Sequence, residues 1–283
     1  MESLFRWRWN ILQASLIVIV AAVGWPCAGV SGEAPAVSAI NGKLSLEGGQ
    51  SYSQVIGLGI ASLAVPLGHD FGAQFDIGAG KSDYHSMWGG DGQVFWRDPA
   101  VGLAGFGYVH TRRVGIDLNR FLGVGEAYLG RFTVYSKVGF QNGDVGHGAI
   151  GQVKMSYYPT DDLKLTAGTE INPDRKLGLF EAEYMPGISS IPGGAMYARG
   201  AVSGQGAEYG VVGIRIYFGP SKSLIRRHRE DDPPDLLTSS ITNNPLRSTV
   251  APPPPPPVVA PVVAPVVVRP VTSPVVTPPP SDA

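Results

Sequence analysis

The sequence predicts an all-β protein: an antiparallel transmembrane β-barrel of about 12 strands with a disordered Pro-rich C-terminal tail. Three observations predict it. Between about Val37 and Phe218 no stretch keeps a 3.6-residue hydrophobic period, whereas many runs of roughly 9 to 11 residues alternate with a period of two. Charged residues make up 16% of the chain, against about a quarter in ordinary soluble domains, and 38 of 283 residues are glycine. A leader of the exported kind precedes the alternating runs. A soluble secreted all-β binding domain would also alternate and is the alternative reading.

Residues 1–32 read as a signal peptide. Arg6 and Arg8 open it, an apolar run from about Ile11 to Gly24 follows, and small residues gather from Ala28 to Gly32. The run is too short to cross a bilayer comfortably. Cys27 follows Trp25 and Pro26, bulky where a lipidation signal needs a small residue. With the leader removed the chain holds no Cys, so neither disulfides nor thiolate metal sites are expected, and no metal or cofactor motif is present.

Residues 33–219 carry the barrel. The first run sets Leu44 and Leu46 against Lys43, Ser45 and Glu47, and the second sets Ile56, Leu58 and Ile60 against Gly57, Gly59 and Ala61. After the turn at Pro66 and Gly68, Phe71, Ala73, Phe75 and Ile77 oppose Gln74 and Asp76. Gly90 to Arg97 and Val101 to His110 follow, the latter with recurring Gly102, Gly105 and Gly107. A long sixth run, Val114 to Leu129, sets Asp117 and Asn119 against Ile116 and Leu118, and Glu126 then shares parity with Leu118, which asks for a bulge or for the opposite assignment of faces.

The seventh run, with Val134 and Val138, ends at Asn142, Gly143 and Asp144, a hairpin signal. Val153 and Met155 mark the eighth, Leu163, Leu165 and Ala167 the ninth, Phe180, Ala182 and Tyr184 the tenth, and Met196, Ala198 and Val202 the eleventh. Glu208 to Phe218 is the twelfth. An even count returns both ends of the barrel to one side. With that side periplasmic, Phe71, Trp96, Tyr128, Phe132, Tyr157, Tyr158, Tyr184, Tyr217 and Phe218 form an aromatic girdle there.

The twelfth run resembles the closing strand of bacterial outer-membrane barrels. Gly213, Ile216 and the final aromatic Phe218 match that terminal signal, and Val211 stands where the pattern has a polar residue. The resemblance implies recognition by the barrel assembly machinery and contact with outer-membrane lipids. With the apolar parity on the lipid side, the lumen receives Lys43, Glu47, Asp76, Arg97, Asp117, Lys137, Lys154, Lys164, Glu170, Glu181, Glu183, Arg199 and Arg215. Charges in a narrow interior must pair or stay hydrated. Two readings stand: a salt-bridged interior that closes the barrel, or a wet passage for small polar solutes.

Residues 220–283 begin polar and end as a Pro/Val/Ala-rich tail, read as periplasmic. Arg226, Arg227, His228 and Arg229 form a basic cluster placed to meet phospholipid headgroups or anionic wall polymers, or else a solvated run balanced by Glu230, Asp231 and Asp232. No core is expected there. Ala251 to Pro280 favours polyproline II, and at about 3.1 Å per residue it could reach roughly 90 Å, far enough to contact the cell wall.

Together the phrase Gln93 to Gly105 (QVFWRDPAVGLAG), Tyr157 to Leu163 (YYPTDDL) and Lys222 to Pro234 (KSLIRRHREDDPP) resemble a family of alphaproteobacterial outer-membrane barrel proteins without established activity. The resemblance spans about Leu44 to Pro234 and implies fold and location only. A net charge of −1 with interleaved signs leaves no nucleic-acid footprint. The expectation is therefore an integral outer-membrane protein, either a passive narrow channel or a structural envelope element, and not an enzyme. The alternative is a rim hydrolase built on acid and His groups of the outer loops, with Asp83 and His85 as candidates and no nucleophile motif beside them.

Overall fold

The computed structural model describes residues 34–242 except 174, 189 and 205. The leader with Cys27 and the Pro-rich stretch from Ala251 lie outside the described residues. Twelve antiparallel strands form a closed barrel, each paired with its chain neighbours and β1 paired with β12. They are β1 (Asn41–Ser51), β2 (Gln54–Pro66), β3 (Phe71–Ser82), β4 (His85–Asp98), β5 (Gly102–Arg113), β6 (Ile116–Leu129), β7 (Phe132–Gly143), β8 (Gly148–Thr160), β9 (Leu163–Ile171), β10 (Lys176–Tyr184), β11 (Gly194–Ser203) and β12 (Gly206–Tyr217). Two short helices follow, α1 (Leu224–Glu230) and α2 (Leu237–Thr242).

Closure is set by the pairs Lys43 with Tyr217, Ser45 with Arg215 and Glu47 with Gly213. Gly213 is needed at this seam. A Cβ there would stand 2.5 Å from the Tyr197 ring and 2.7 Å from the Leu46 carbonyl oxygen. Tyr197 crosses the glycine to donate a hydrogen bond to Glu47 Oε2 at 2.9 Å. One end of the barrel, here the terminal mouth, holds the start of β1 and the end of β12. The opposite, far mouth carries two-residue hairpins such as Tyr52–Ser53 and Val114–Gly115, all four residues at positive φ, as type I′ turns require.

The outer surface is a band of apolar side chains including Leu46, Phe75, Ile77, Phe106, Phe121, Phe180, Val212 and Ile214, all exposed. Such a belt is stable against hydrocarbon and costly against water. Two strands reverse the faces expected from alternation. In β2 it is Ile56, Leu58 and Ile60 that are buried in the lumen, with Gly57 and Gly59 outside. In β6, Leu118, Arg120, Leu122, Val124 and Tyr128 point inward, and the register with β5 and β7 runs through without a bulge. Asp117 therefore leaves the set of lumen charges and sits near the far rim, 3.7 Å from Arg112 Nε. Alternation fixes which residues share a face but not which face meets lipid.

The aromatic girdle divides in the same way. Phe71, Phe132, Tyr157, Tyr184 and Phe218 are exposed around the terminal mouth, whereas Tyr128, Tyr158 and Tyr217 turn into the lumen. Ile77 lies midway along β3 on the lipid side. Ile77→Arg is expected to destabilise the barrel by about 2–4 kcal/mol in lipid, read from urea titrations of folding into vesicles. A change below about 1 kcal/mol would place this face away from hydrocarbon.

Candidate functional site: a lumen closed by the chain's own C-terminal segment

The expectation that no core forms after β12 is overturned. Leu224, Leu236, Leu237 and Ile241 are fully buried. After α1 the chain enters the terminal mouth and runs through the lumen. Near its start, Asp231 accepts hydrogen bonds from Ser38, and the Asp231 carbonyl accepts one from Asn41 Nδ2 at 3.3 Å. At its end, Ser51 Oγ, at the far end of β1, donates to the Thr242 carbonyl at 3.0 Å. Residues 231–242 thus cross from one mouth to the other as a plug.

Plug and wall match in polarity. Leu236, Leu237 and Ile241 join Ile56, Leu58, Ile60, Met87, Phe95, Val109 and Leu122 in one buried cluster, and α2 packs on β3, β4 and β5. Each of those three side chains contributes roughly 1.5–3 kcal/mol by leaving water. Space is left for them by glycine: a Cβ at Gly107 would stand 2.8 Å from Leu236 Cδ1, and one at Gly89 would stand 2.9 Å from Leu237 Cδ1. The other flank of α2 is hydroxylic and meets charge. Lys137 Nζ donates to Ser239 Oγ at 3.2 Å, Arg120 to Ser240 Oγ at 3.3 Å, and Arg199 to Thr242 Oγ1 at 3.3 Å. Asp235 caps α2 by accepting hydrogen bonds from the Thr238 amide, at 2.9 Å, and hydroxyl.

The charged wall is largely paired. Arg215 lies 2.9 Å from Glu183, Lys164 2.7 Å from Glu181 and 3.1 Å from Glu183, Arg199 2.5 Å from Glu47, and Lys137 3.8 Å from Glu170. Lys43 Nζ meets Asp232 of the plug at 2.6 Å. Arg97 donates to the Ala36 carbonyl at 3.1 Å, tying the segment before β1 to the terminal mouth. Lys154 stands over the Tyr135 ring, 4.8 Å from its centroid. Among these groups a polar cavity of about 120 Å³ remains, lined by Lys154, Glu126, Tyr197 and Asp235 among others. That is room for a few waters. Of the two interior readings, the geometry is that of the salt-bridged, closed one.

Sequence reasoning missed Asp91, Arg113 and Arg120, all buried. A signal for Asp91 was present, since it shares parity with Arg97 along β4. Arg113 donates to Ser51 Oγ at 2.9 Å and to Ser82 Oγ at 3.1 Å, bracing the far mouth.

The basic cluster faces protein rather than headgroups or wall polymer. Arg227 is buried and lies over the Tyr217 ring, and Arg229 lies over Tyr128 while donating to the Gly130 carbonyl at 2.8 Å. Only Arg226 of the four is exposed, paired with Glu230 at 2.8 Å. The rim candidates do not assemble either. Asp83 accepts a hydrogen bond from the Val55 amide at 2.9 Å, a turn contact, and among the described residues no hydrogen bond joins it to exposed His85. His110, on β5, contacts Asn119 at 2.8 Å through Nδ1, with Asp117 Oδ1 4.0 Å from its Nε2.

His228 latches α1 to the wall. Its Nδ1 is 3.0 Å from Tyr158 Oη and its Nε2 is 3.1 Å from Tyr217 Oη. Tyr217 gives its proton to Glu183 Oε1 at 2.7 Å, so the imidazole donates from Nε2 and accepts at Nδ1. Burial, then the nearby Lys164, pushes its pKa down to about 3, against the opposing pull of Glu183 and Asp232, and Arg215 adds to the depression. A depressed histidine pKa stabilises the folded state above the unfolded value near 6.5, and that stabilisation is lost as pH falls toward 3.

The fold and its lining are those of a transmembrane β-barrel with an occupied lumen. Solved outer-membrane barrels share the fold. The chain superimposes on a KdgM porin in complex with disordered oligogalacturonate at a TM-score of 0.51, with 10% identity over 62% of this chain and 99% of the porin. An outer membrane channel from Pseudomonas putida F1 matches at 0.48, with 12% identity over 67% of this chain and 98% of the channel, and outer membrane phospholipase A from Escherichia coli at 0.42, with 14% identity over 65% and 94%. No protein-family model and no curated relative matches the sequence.

Acidification from pH 7 to 4 is expected to raise protease cleavage within residues 222–242 of the folded protein, and His228→Gln to flatten that rise. An identical pH profile in the variant would remove His228 as the latch.

Proposed function

We propose that the protein is an outer-membrane barrel that holds residues 231–242 of its own chain in the lumen, with Thr242 at the outer mouth, as a self-plugged anchor rather than a standing channel. The observation that carries this reading is the path of residues 231–242, from Asp231 beside Ser38 to Thr242 beside Ser51. The barrel fold and its apolar belt support residence in the outer membrane, with lipids as surroundings. Gly213, Ile216 and Phe218 support insertion by the assembly machinery.

With β1 beginning and β12 ending on the periplasmic side, as an even strand count allows, Thr242 lies at the extracellular side. This differs from the periplasmic tail and wall contact expected from sequence, which concern Ala251 to Ala283. A tag after Ala283 is expected to bind antibody on intact cells. Labelling only after permeabilisation would return the tail to the periplasm and favour the wall contact.

A gated passage is the second reading, favoured by the polar cavity of about 120 Å³ between plug and charged wall. Refolded full-length mature protein is expected to be silent in planar bilayers. Leu237→Asp, which puts an ion among buried apolar side chains at a cost of several kcal/mol, and a chain truncated after Ser221 are expected to give steady ohmic steps. Steady conductance of the full-length protein would overturn the plug.

A further inference from the structure

Asp76 on β3 and Asp91 on β4 are register partners in the lumen, and the plug brings Asp235 to them, so that one carboxylate oxygen of each lies within 4.8 Å of the others. Among the described residues no ion pair within 4.0 Å reaches any of the three. Lys43, two ladders away across Ser62, is engaged by Asp232 at 2.6 Å. Buried, unpaired carboxylates cost several kcal/mol each if ionised.

A second, independent feature lies two register pairs away, on the same face. Gln74 and Gln93 are themselves paired and almost fully buried, and the side-chain carbonyl oxygen of each lacks a hydrogen-bond partner. In both side chains it is the amide nitrogen that faces the cluster, so the carbonyl oxygen reaches it by turning the amide over. Gln74 Nε2 stands 2.9 and 3.2 Å from the two oxygens of Asp76, and Gln93 Nε2 donates at 2.8 Å to the carbonyl of Pro234, the residue before Asp235. Asp91, 9% exposed, faces the Asp76 carboxyl and the backbone of Leu237, with neither oxygen in good hydrogen-bond geometry to a partner.

We propose that Asp76, Asp91 and Asp235, joined by the side-chain oxygens of Gln74 and Gln93 once those amides turn over, bind a Ca²⁺ ion that staples the plug to the barrel wall. The donors are all oxygen, which selects a hard cation. Ligands about 2.3–2.6 Å from a shared Ca²⁺ lie up to about 5 Å apart, which suits the observed spread. Mg²⁺, at about 2.0–2.1 Å, holds opposite ligands within about 4.2 Å and keeps several waters, for which a buried site has little room. Two of the three carboxylates come from adjacent strands and the third from the plug, so the ion binds tightly only while the plug is seated. The proposal rests on the plug reading in that respect.

The test is equilibrium dialysis of chelator-treated full-length mature protein in detergent against ⁴⁵CaCl₂. Wild type and Asp83→Asn, a charge removed at the far rim, are expected to bind about one ion per chain. Asp91→Asn is expected to lose that ion while staying a heat-modifiable folded barrel, and Gln93→Leu, which keeps every charge, to weaken it roughly 10–100-fold. Equal binding by wild type and both variants, or no binding by wild type at any calcium concentration, overturns the site, leaving protons as the neutralising partner. Planar-bilayer recordings on the same samples keep the two readings apart. Absent calcium binding with silent bilayers removes only the ion, whereas absent binding with steady conductance removes the plug as well.

Discussion

A strand crossing hydrocarbon has no water to accept or donate its backbone hydrogen bonds, so the sheet must close on itself. Here closure is the ladder between β1 and β12, and everything else follows from its size. Eight strands enclose an interior that side chains fill, whereas larger barrels leave space. Twelve strands leave more volume than the lumen side chains of this sequence occupy, many of them glycine, serine or threonine. The volume must hold water or protein. In this chain residues 231–242 occupy it, and their amphipathic character selects their place. The leucine flank of α2 lies against the part of the wall, β2 to β6, that carries the inward apolar side chains Ile56, Leu58, Ile60, Met87, Val109 and Leu122 beside Asp76 and Asp91, and the hydroxylic flank lies toward Lys137 and Arg199.

Strand number, turns and closing signal were legible because each rests on a local rule: period-two alternation, Pro and Gly at turns, a final aromatic. Gly213 is a case where the structure supplies the reason, since Tyr197 must pass over it to reach Glu47. Most expected lumen charges are also where alternation places them. The errors have one source. In β2 and β6 the more apolar parity faces inward, and no local rule reveals this, because the partner that makes an apolar lumen favourable, Leu236 and Leu237, lies more than 100 residues later in the chain. Asp117 was misassigned for that reason, and Arg120 was overlooked.

The plug was invisible for a related reason. Lys222 to Pro234 is charged and prolyl, and six residues of helix are too few for a periodic signal. Its traces were Asp235 three residues before Thr238, a capping pair, and Leu236, Leu237 and Ile241 on one side of a helical turn. They acquire meaning only against a wall with gaps at Gly89 and Gly107. The basic cluster shows the same dependence. As sequence, Arg227, His228 and Arg229 suit an anionic surface. In the fold, the inward tyrosines 128, 158 and 217 present ring faces and hydroxyls to them, and the cluster becomes the hinge where the chain turns back into the barrel.

Plug and barrel are held by different kinds of contact along the lumen axis, and this bears on how the plug could leave. At the terminal mouth the contacts are numerous and charged: His228, Arg229, Lys43 with Asp232, and Lys222 with Asp231 at 2.7 Å. In the middle they are apolar on the leucine flank, with the three carboxylates beside it, and polar on the other, where Lys137 and Arg120 donate to Ser239 and Ser240. At the far mouth they thin to Ser51 and Arg199 on Thr242. Withdrawal toward the terminal mouth would break the charged latch while dragging the leucines past the paired charges of β7 to β12. Loosening from the far end instead breaks two neutral-acceptor hydrogen bonds before any apolar contact is lost. Opening from the far end is therefore the path of least cost, and agents acting on the far mouth, rather than on the latch, reach the weakest part of the closure first.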